Sequence, residues 1–248
     1  MNKINHYKQL DGLRAIAVIL VLISHWINIP SLQKVHLGIM GVNLFFVLSG
    51  FLISEKLLIE KAQIAENIKS IKGVLSNFYM RRLLRIFPIY YLTIFILFAI
   101  NWSPTRKYIV YLLTYTTNFI SSFSIDVEPL VTFAHTWSLS VEEQYYIIIP
   151  VLILTINNIK KLSVFFILLG VFSRILFYAS LQEPIFEKVI IFFTTSCFDA
   201  FGLGLLLAYL KNSNAVLLQE KFKKYTSVFI VLLLVYSIML IVLFYNST

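Results

Sequence analysis

The chain is poor in charged residues and has a single cysteine. Charged residues make up 13% of its 248 positions, whereas hydrophobic residues make up 59%. A soluble globular protein has about 25% charged and about 45–50% apolar residues. So much apolar surface cannot be buried in one water-soluble core, which excludes the soluble classes and predicts an integral membrane protein. The single cysteine, Cys197, excludes an intrachain disulfide.

The net charge of +9 has a simple explanation in a membrane protein. In a soluble chain it would suggest nucleic-acid binding, but Lys and Arg collect in the cytoplasmic loops of membrane proteins. We therefore predict a lipid bilayer as partner and no nucleic acid. A basic N-terminus followed by an apolar run could be a cleaved signal peptide. Because no small-residue cleavage site follows Ala17, we predict an uncleaved first span.

Long apolar runs define the predicted architecture. A spanning helix needs about 20 mostly apolar residues. Seven segments meet this requirement: 13–29, 37–55, 84–101, 136–156, 162–181, 188–210 and 226–245. An eighth, 107–122, begins apolar but then becomes polar from Thr114 to Asn118. Residues 56–82 are predicted to form one long cytoplasmic connection.

The distribution of Lys and Arg indicates whether 107–122 crosses the bilayer. If the N-terminus is cytoplasmic and 107–122 does not cross, 16 loop Lys and Arg lie inside and four outside. If it crosses, the numbers become 11 and nine. The positive-inside rule favours the first arrangement. The predicted fold class is therefore all-α: a polytopic transmembrane helix bundle of about seven spans plus a re-entrant or interfacial helix at 107–122, in one domain over 1–248.

The first span carries polar residues on one face. Arg14 and His25 are eleven residues apart, almost three helical turns, so they share a face about 16 Å apart along the axis. Asp11 lies on the same side as Arg14. Arg14 alone could anchor the helix at the membrane boundary, whereas a histidine within a span more often faces a pathway or a site. Trp26 favours a position of His25 near the interface.

The second span and the segment after it offer two further groups. Small residues, among them Gly41, Ser49 and Gly50, let helix backbones approach closely, and Asn43 is the polar exception. Arg81 and Arg85 are four residues apart and project together. They could anchor the chain at the cytoplasmic face, or their forked donors could bind the phosphates of a ligand such as coenzyme A.

The run HTWSLSVEEQYY, residues 135–146, opens an apolar helix and is the most specific segment. Ser138, Glu142 and Tyr145 lie at i, i+4 and i+7, which predicts one stripe of a helix. One of the carboxylates could simply be solvated at the membrane boundary. A hydroxyl, a carboxylate and a phenol facing a histidine would instead form an acid–base site.

Arg174 and Asp199 fall near the middle of their predicted spans. Charges at such depth pair with each other or line a cavity. The alternatives are therefore a structural ion pair or a pathway for a transported substrate.

Five segments, in this order, resemble the successive signatures of the acyltransferase 3 family of membrane O-acyltransferases: LDGLRAIAVILVLISH, GVNLFFVLSGFLI, RRLLRIFPIYY, HTWSLSVEEQYY and FDAFGLGLLLA. The resemblance covers residues 7 to about 208. It implies an enzyme of the bacterial cytoplasmic membrane, with no permanently bound cofactor and no metal site. Such an enzyme transfers an acyl group, often acetyl, from cytoplasmic acyl-CoA to a hydroxyl of a cell-envelope glycan or another acceptor.

The resemblance also implies roles for individual residues. His25 stands in the catalytic position, and Arg14 with Arg81, Arg82 and Arg85 is expected to bind acyl-CoA. Glu142 is expected to take part in catalysis. The residues predicted to line the site are Asp11, Asn43, His135, Trp137, Ser138 and Tyr145.

The chain departs from the family pattern in three respects. Asn43 stands where an acidic residue is common, and Cys197 stands where an arginine often precedes the aspartate. Family members usually have about ten spans, so the seven predicted here suggest a C-terminally incomplete domain. An inactive truncated remnant and a membrane transporter or flippase are the alternatives.

The predicted mechanism places the acyl-CoA phosphates at Arg14 and the Arg81–Arg85 cluster and the thioester at His25. Burial is expected to favour a neutral imidazole at His25. That imidazole could deprotonate the acceptor hydroxyl or first take the acyl group itself. Glu142 would orient the imidazole or the acceptor.

Overall fold

The structure, a computed structural model, describes residues 8–27, 36–123, 135–182 and 185–213, and within these ranges it contains helices and no β-strand. The all-α prediction is confirmed. The helices are α1 (Lys8–Trp26), α2 (Leu37–Ala65), α3 (Ile71–Ala99), α4 (Ser103–Leu113), α5 (Thr117–Phe123), α6 (Thr136–Thr155), α7 (Ile159–Ser180), α8 (Ile185–Phe192) and α9 (Phe198–Ser213), with a 3-10 helix, Thr194–Cys197, before α9.

The number of spans in the described ranges is lower than predicted. By length and composition α1, α2, α3 and α7 can each cross a membrane, and α8 together with Thr194–Ser213 can form a fifth span bent by 54°. The predicted span 136–156 corresponds to α6, whose run of two carboxylates and an amide at 142–144 makes it less apolar. The predicted span 226–245 lies outside the described residues. The chain is a multi-pass membrane protein.

The predicted long connection at 56–82 is wrong. Helix α2 continues to Ala65 and α3 begins at Ile71, so the connection is a short turn. Asn67 adopts a left-handed backbone there (φ 57°), a conformation that asparagine tolerates. Ser70 then caps α3 by accepting a hydrogen bond from the Gly73 amide at 3.1 Å. The charged residues at these positions do not end either helix, because a helix can continue beyond the bilayer into water.

The segment predicted as a re-entrant helix is two short helices, α4 and α5, separated by a break at 114–116. Tyr115 in the break has φ 52°, which is unusual for a bulky side chain. Gln144 of α6 donates to the Tyr115 carbonyl at 2.8 Å and to Asn118 Oδ1 at 3.0 Å. Irregular backbone is tolerated in a membrane protein where neighbouring protein groups satisfy its hydrogen bonds, and Gln144 does this for the break.

Helix α2 lies at the centre of the bundle and packs against α1, α6 and α9. A Cβ on Gly41 would lie 2.7 Å from the Ala17 carbonyl oxygen, and one on Gly50 would lie 2.6 Å from the Phe201 carbonyl oxygen. The predicted close approach of backbones at small residues is therefore confirmed. Aromatic rings fill the adjacent core, where Tyr145 stacks on Phe201 at a centroid distance of 4.0 Å.

The far end of α6 is fastened by a lysine of α2. Lys61 Nζ donates to the carbonyl oxygens of Ile153 and Ile156 at 2.8 and 2.5 Å. These carbonyls belong to the last turn of α6 and its C-cap, where a cation also interacts favourably with the negative end of the helix dipole. Lys211 Nζ similarly reaches Glu55 Oε1 at 2.5 Å, which joins α9 to α2.

Candidate active site

Arg14 and His25 lie in one uninterrupted helix, α1. Arg14 Nη1 is 3.3 Å from Asp11 Oδ1 in an exposed ion pair between neighbouring turns. The helix is fixed to α2 near the fully buried Ala17. The His25 side chain is exposed within the described part of the chain, so the expected burial of this imidazole is not found.

The start of α6 brings a second imidazole to His25. Burial lowers the pKa of His135, and electrostatic repulsion from the nearby His25 lowers it further. Ser138 Oγ donates to the His135 carbonyl oxygen at 3.3 Å. Burial also lowers the pKa of His36, which precedes α2, and Glu187 opposes that effect. His25 and His135 thus lie at the same end of the bundle.

Glu142 is held by residues of two helices. Its Oε1 accepts hydrogen bonds from Ser49 Oγ of α2 and from Tyr146 OH, the latter at 2.5 Å and one turn further along α6. Within the described ranges, the two hydrogen bonds to Glu142 come from Ser49 and Tyr146 and not from His25. The structure therefore orients the carboxylate through Ser49 and Tyr146.

The three arginines of α3 have different surroundings. Arg81 and Arg85 are exposed, whereas Arg82 is half-buried. The Arg82 guanidinium carbon lies 3.9 Å from the centroid of the Tyr146 ring, a close cation–π contact. Arg81 and Arg82 are also within electrostatic range of Lys56 of α2, where the carboxylate of Glu60 partly balances these positive charges.

The other predicted lining residues differ in how deeply they are buried. Trp137 is buried and packs edge-on against Phe192 at a centroid distance of 4.9 Å. Tyr145 is fully buried in the aromatic core, so the predicted stripe from Ser138 to Tyr145 does not face one site. Asn43 is half-buried on α2.

Arg174 and Asp199 form an ion pair between α7 and α9. Arg174 Nη2 donates to Asp199 Oδ1 at 2.9 Å, and Nη1 donates to Oδ2. The Ala200 amide also donates to Asp199 Oδ1, at 2.8 Å. Because each charge is neutralised by the other, this pair offers no observation in favour of a transport pathway.

Sequence reasoning missed several residues that organise the site. Tyr146 lies at i+4 from Glu142, a spacing that could have identified it. Ser49 appeared only as one of the small packing residues of α2. Gln144 carried no functional signal, because its role depends on the break between α4 and α5. No group of three or more His, Cys, Asp or Glu suited to a metal ion occurs in the part of the chain that the structure describes.

Comparison with known proteins identifies the family of the chain. A family model described as an acyltransferase domain matches residues 7–248. The chain belongs to the acyltransferase 3 family. Among curated relatives, the O-acetyltransferase OatA of Staphylococcus aureus (strain NCTC 8325 / PS 47) is 33% identical over 158 residues, which are 58% of this chain and 24% of the relative. A putative O-acetyltransferase of Staphylococcus aureus strain COL is 30% identical over 226 residues, 84% of this chain and 35% of the relative.

The chain spans about a quarter to a third of the length of these relatives. No solved structure shows a significant match. Membership of the acyltransferase 3 family accounts for the order of the five sequence segments, which lie on α1, α2, α3, α6 and α9.

Proposed function

We propose that this acyltransferase 3 chain transfers an acyl group, acetyl in the first instance, from cytoplasmic acyl-CoA to a hydroxyl of a cell-envelope glycan. The observation that carries the proposal is the position of His25 on the helix that also bears Arg14, with His135 beside it. The N-terminus lies in the cytoplasm of a bacterium and the helices cross its inner membrane, as the distribution of Lys and Arg favours.

The donor binds where α2 and α3 present their positive charges. Arg81 and Arg85 are exposed and offer forked donors to phosphate oxygens. Lys56 adds a third charge close to Arg81. Arg14 contributes from α1, and about 16 Å of helix then separates it from His25, a distance suited to the extended arm of acyl-CoA.

The reaction takes place at the imidazole of His25. A neutral imidazole removes the proton from the acceptor hydroxyl as the hydroxyl oxygen attacks the thioester carbonyl. The carbon–sulfur bond breaks, the acyl group forms an ester with the acceptor, and the thiolate of CoA receives the proton. Alternatively His25 takes the acyl group first and passes it to the hydroxyl in a second step.

His135 places a second imidazole near His25. The pKa of His135 is lowered by burial and by His25, so His135 is mostly neutral at pH 7. A neutral imidazole at His135 can accept a hydrogen bond from an N–H group of His25. Glu142, held by Ser49 and Tyr146, positions the acceptor or the imidazole.

The test uses membranes that contain the full-length protein, radiolabelled acetyl-CoA and envelope glycan. His25→Ala should lower acetyl transfer by about 10²-fold or more, the usual contribution of a general base. Ser24→Ala is the matched control, because Ser24 is adjacent on α1 and its hydroxyl bonds only to the Val21 carbonyl within the described residues. Normal transfer by a correctly inserted His25→Ala protein would contradict the proposal.

A further inference from the structure

A connected set of side chains around Glu142 joins α2, α3 and α6. We define it as the Glu142 cluster: Arg82, Tyr146, Glu142 and Ser49. The Arg82 guanidinium covers the face of the Tyr146 ring, Tyr146 OH donates to Glu142 Oε1, and Ser49 Oγ donates to the same oxygen. Tyr146 is 3% exposed, so the contacts in the middle of the cluster are shielded from solvent.

Arg82 differs from the other two arginines of its helix. Its guanidinium is 3.9 Å from the Tyr146 ring and 5.8 Å from the Phe78 ring, so it projects into the bundle. Arg81 and Arg85 expose their side chains. Stacking uses the face of a guanidinium and leaves its N–H edge free, so the difference lies in position: the Arg82 side chain is half-buried and held between helices by the Tyr146 ring, whereas Arg81 and Arg85 present theirs to solvent.

The charge of Arg82 also acts on the carboxylates of α6. Glu142 and Glu143 are adjacent and repel each other, and Arg82 is the positive group that opposes this repulsion at Glu143. A cation over the ring of Tyr146 also makes its hydroxyl a stronger hydrogen-bond donor to Glu142. Removing Arg82 would therefore loosen Tyr146 and increase the repulsion around Glu142.

Both hydrogen bonds to Glu142 fall on Oε1. In the described ranges Oε2 receives none, so one oxygen anchors the carboxylate and the other can accept a hydrogen bond from a ligand. Oε2 can be presented to a ligand in a fixed position only if Oε1 keeps its two hydrogen bonds. Arg82, through Tyr146, is the part of the anchor that comes from α3.

We infer that Arg82 is a positioning residue for Glu142 and does not bind the phosphates of the donor. The inference rests on the proposed acyl transfer from acyl-CoA and divides the α3 arginines into two kinds. Arg81 and Arg85 bind phosphate, and Arg82 holds the Glu142 cluster together.

The experiment compares two donors, acetyl-CoA and acetyl-pantetheine, which lacks the nucleotide and its phosphates. The full-length protein in nanodiscs is assayed as Arg82→Met, with Arg81→Met and Arg85→Met as matched controls. Arg82→Met should lower kcat on the order of 10-fold with both donors, because the cation–π contact is lost in either case. The two control variants should raise KM for acetyl-CoA, and their effect should be much smaller with acetyl-pantetheine.

Two outcomes would overturn the inference. One is an Arg82→Met defect that appears in KM and disappears with acetyl-pantetheine, as expected of a phosphate ligand. The other is additivity of the Arg82→Met and Tyr146→Leu effects on thermal stability, since Leu removes the ring that Arg82 covers and a connected cluster requires the second substitution to cost less after the first. Arg82→Lys, which keeps the charge but not the planar stack, replaces Arg82→Met if the latter does not fold.

The stability measurement does not depend on catalysis. If the wild-type protein transferred acetyl from neither donor, the proposed function would fail. Coupling between Arg82 and Tyr146 in the thermal measurement would still support the positioning role, and its absence would still refute that role.

Discussion

Replacing Gly50 with alanine should destabilise the packing of α2 against α9. A Cβ at this position would lie 2.6 Å from the Phe201 carbonyl oxygen and 3.1 Å from the Phe201 Cα. Ordinary contact begins at 3.4 Å, so the two backbones must separate locally by about 0.8 Å. Neither atom belongs to a flexible side chain, and the displacement must therefore be made by a whole helix.

The size of the effect follows from two opposing contributions. Overpacking of a close contact costs about 1–3 kcal/mol, and a backbone obstacle favours the upper part of that range. Alanine recovers about 0.5–1 kcal/mol of helix propensity relative to glycine. We expect a net loss of about 2 kcal/mol, which corresponds to a fall in Tm of about 4–8 °C for a chain of this size.

The assay is thermal unfolding of the full-length protein in detergent, followed by the loss of the monomer peak in size-exclusion chromatography. Gly12→Ala is the matched control, because Gly12 is also helical and a Cβ there would meet nothing within 4 Å. The control should keep or slightly raise Tm. Equal Tm values for the two variants would refute the close backbone contact between α2 and α9.

Three further substitutions have defined outcomes. Arg174→Met should destabilise the protein by about 3–5 kcal/mol, because the buried Asp199 carboxylate loses the arginine that neutralises it, and adding Asp199→Leu should restore part of the Tm; no recovery would argue against the ion pair. Gln144→Leu should cost about 1–3 kcal/mol by leaving the carbonyl at the α4–α5 break without its donor, and an unchanged Tm would contradict that role. The lowered pKa of His135 means that the unfolded chain binds its proton more readily, so stability should fall as the pH drops below about 6.5. His135→Gln should show a smaller fall between pH 7.5 and pH 5.5, and identical losses in both proteins would exclude the contribution of His135.

Much of the fold could be predicted because its signals are local. The shortage of charge indicates a membrane protein, and helical periodicity places Arg14 and His25 on one face of α1. The pairing of Arg174 with Asp199 follows from the cost of isolated charges in lipid. Glycines in a span indicate close helix contacts, which the structure has at Gly50.

The arrangement around Glu142 could not be predicted in the same way. Ser49 and Glu142 are 93 residues apart, and their hydrogen bond depends on how α2 crosses α6. Helical periodicity places both Tyr145 and Tyr146 within one turn of Glu142. Which of them reaches the carboxylate is decided by packing, since the ring of Tyr145 is taken up by stacking on Phe201. Composition likewise could not show that α2 and α3 continue beyond the bilayer.

The ion pair between α7 and α9 has a consequence for the synthesis of the protein. Arg174 leaves the ribosome 25 residues before Asp199, so α7 reaches the translocon before Asp199 has been added to the chain. An arginine at the centre of a helix costs about 2.5–3.5 kcal/mol on insertion scales, which α7 must offset with its other, mostly apolar residues. Asp199 then enters with its partner already in place. The two helices can thus enter the lipid with the charges of Arg174 and Asp199 neutralised by each other, and the order of translation determines which of the two is inserted first.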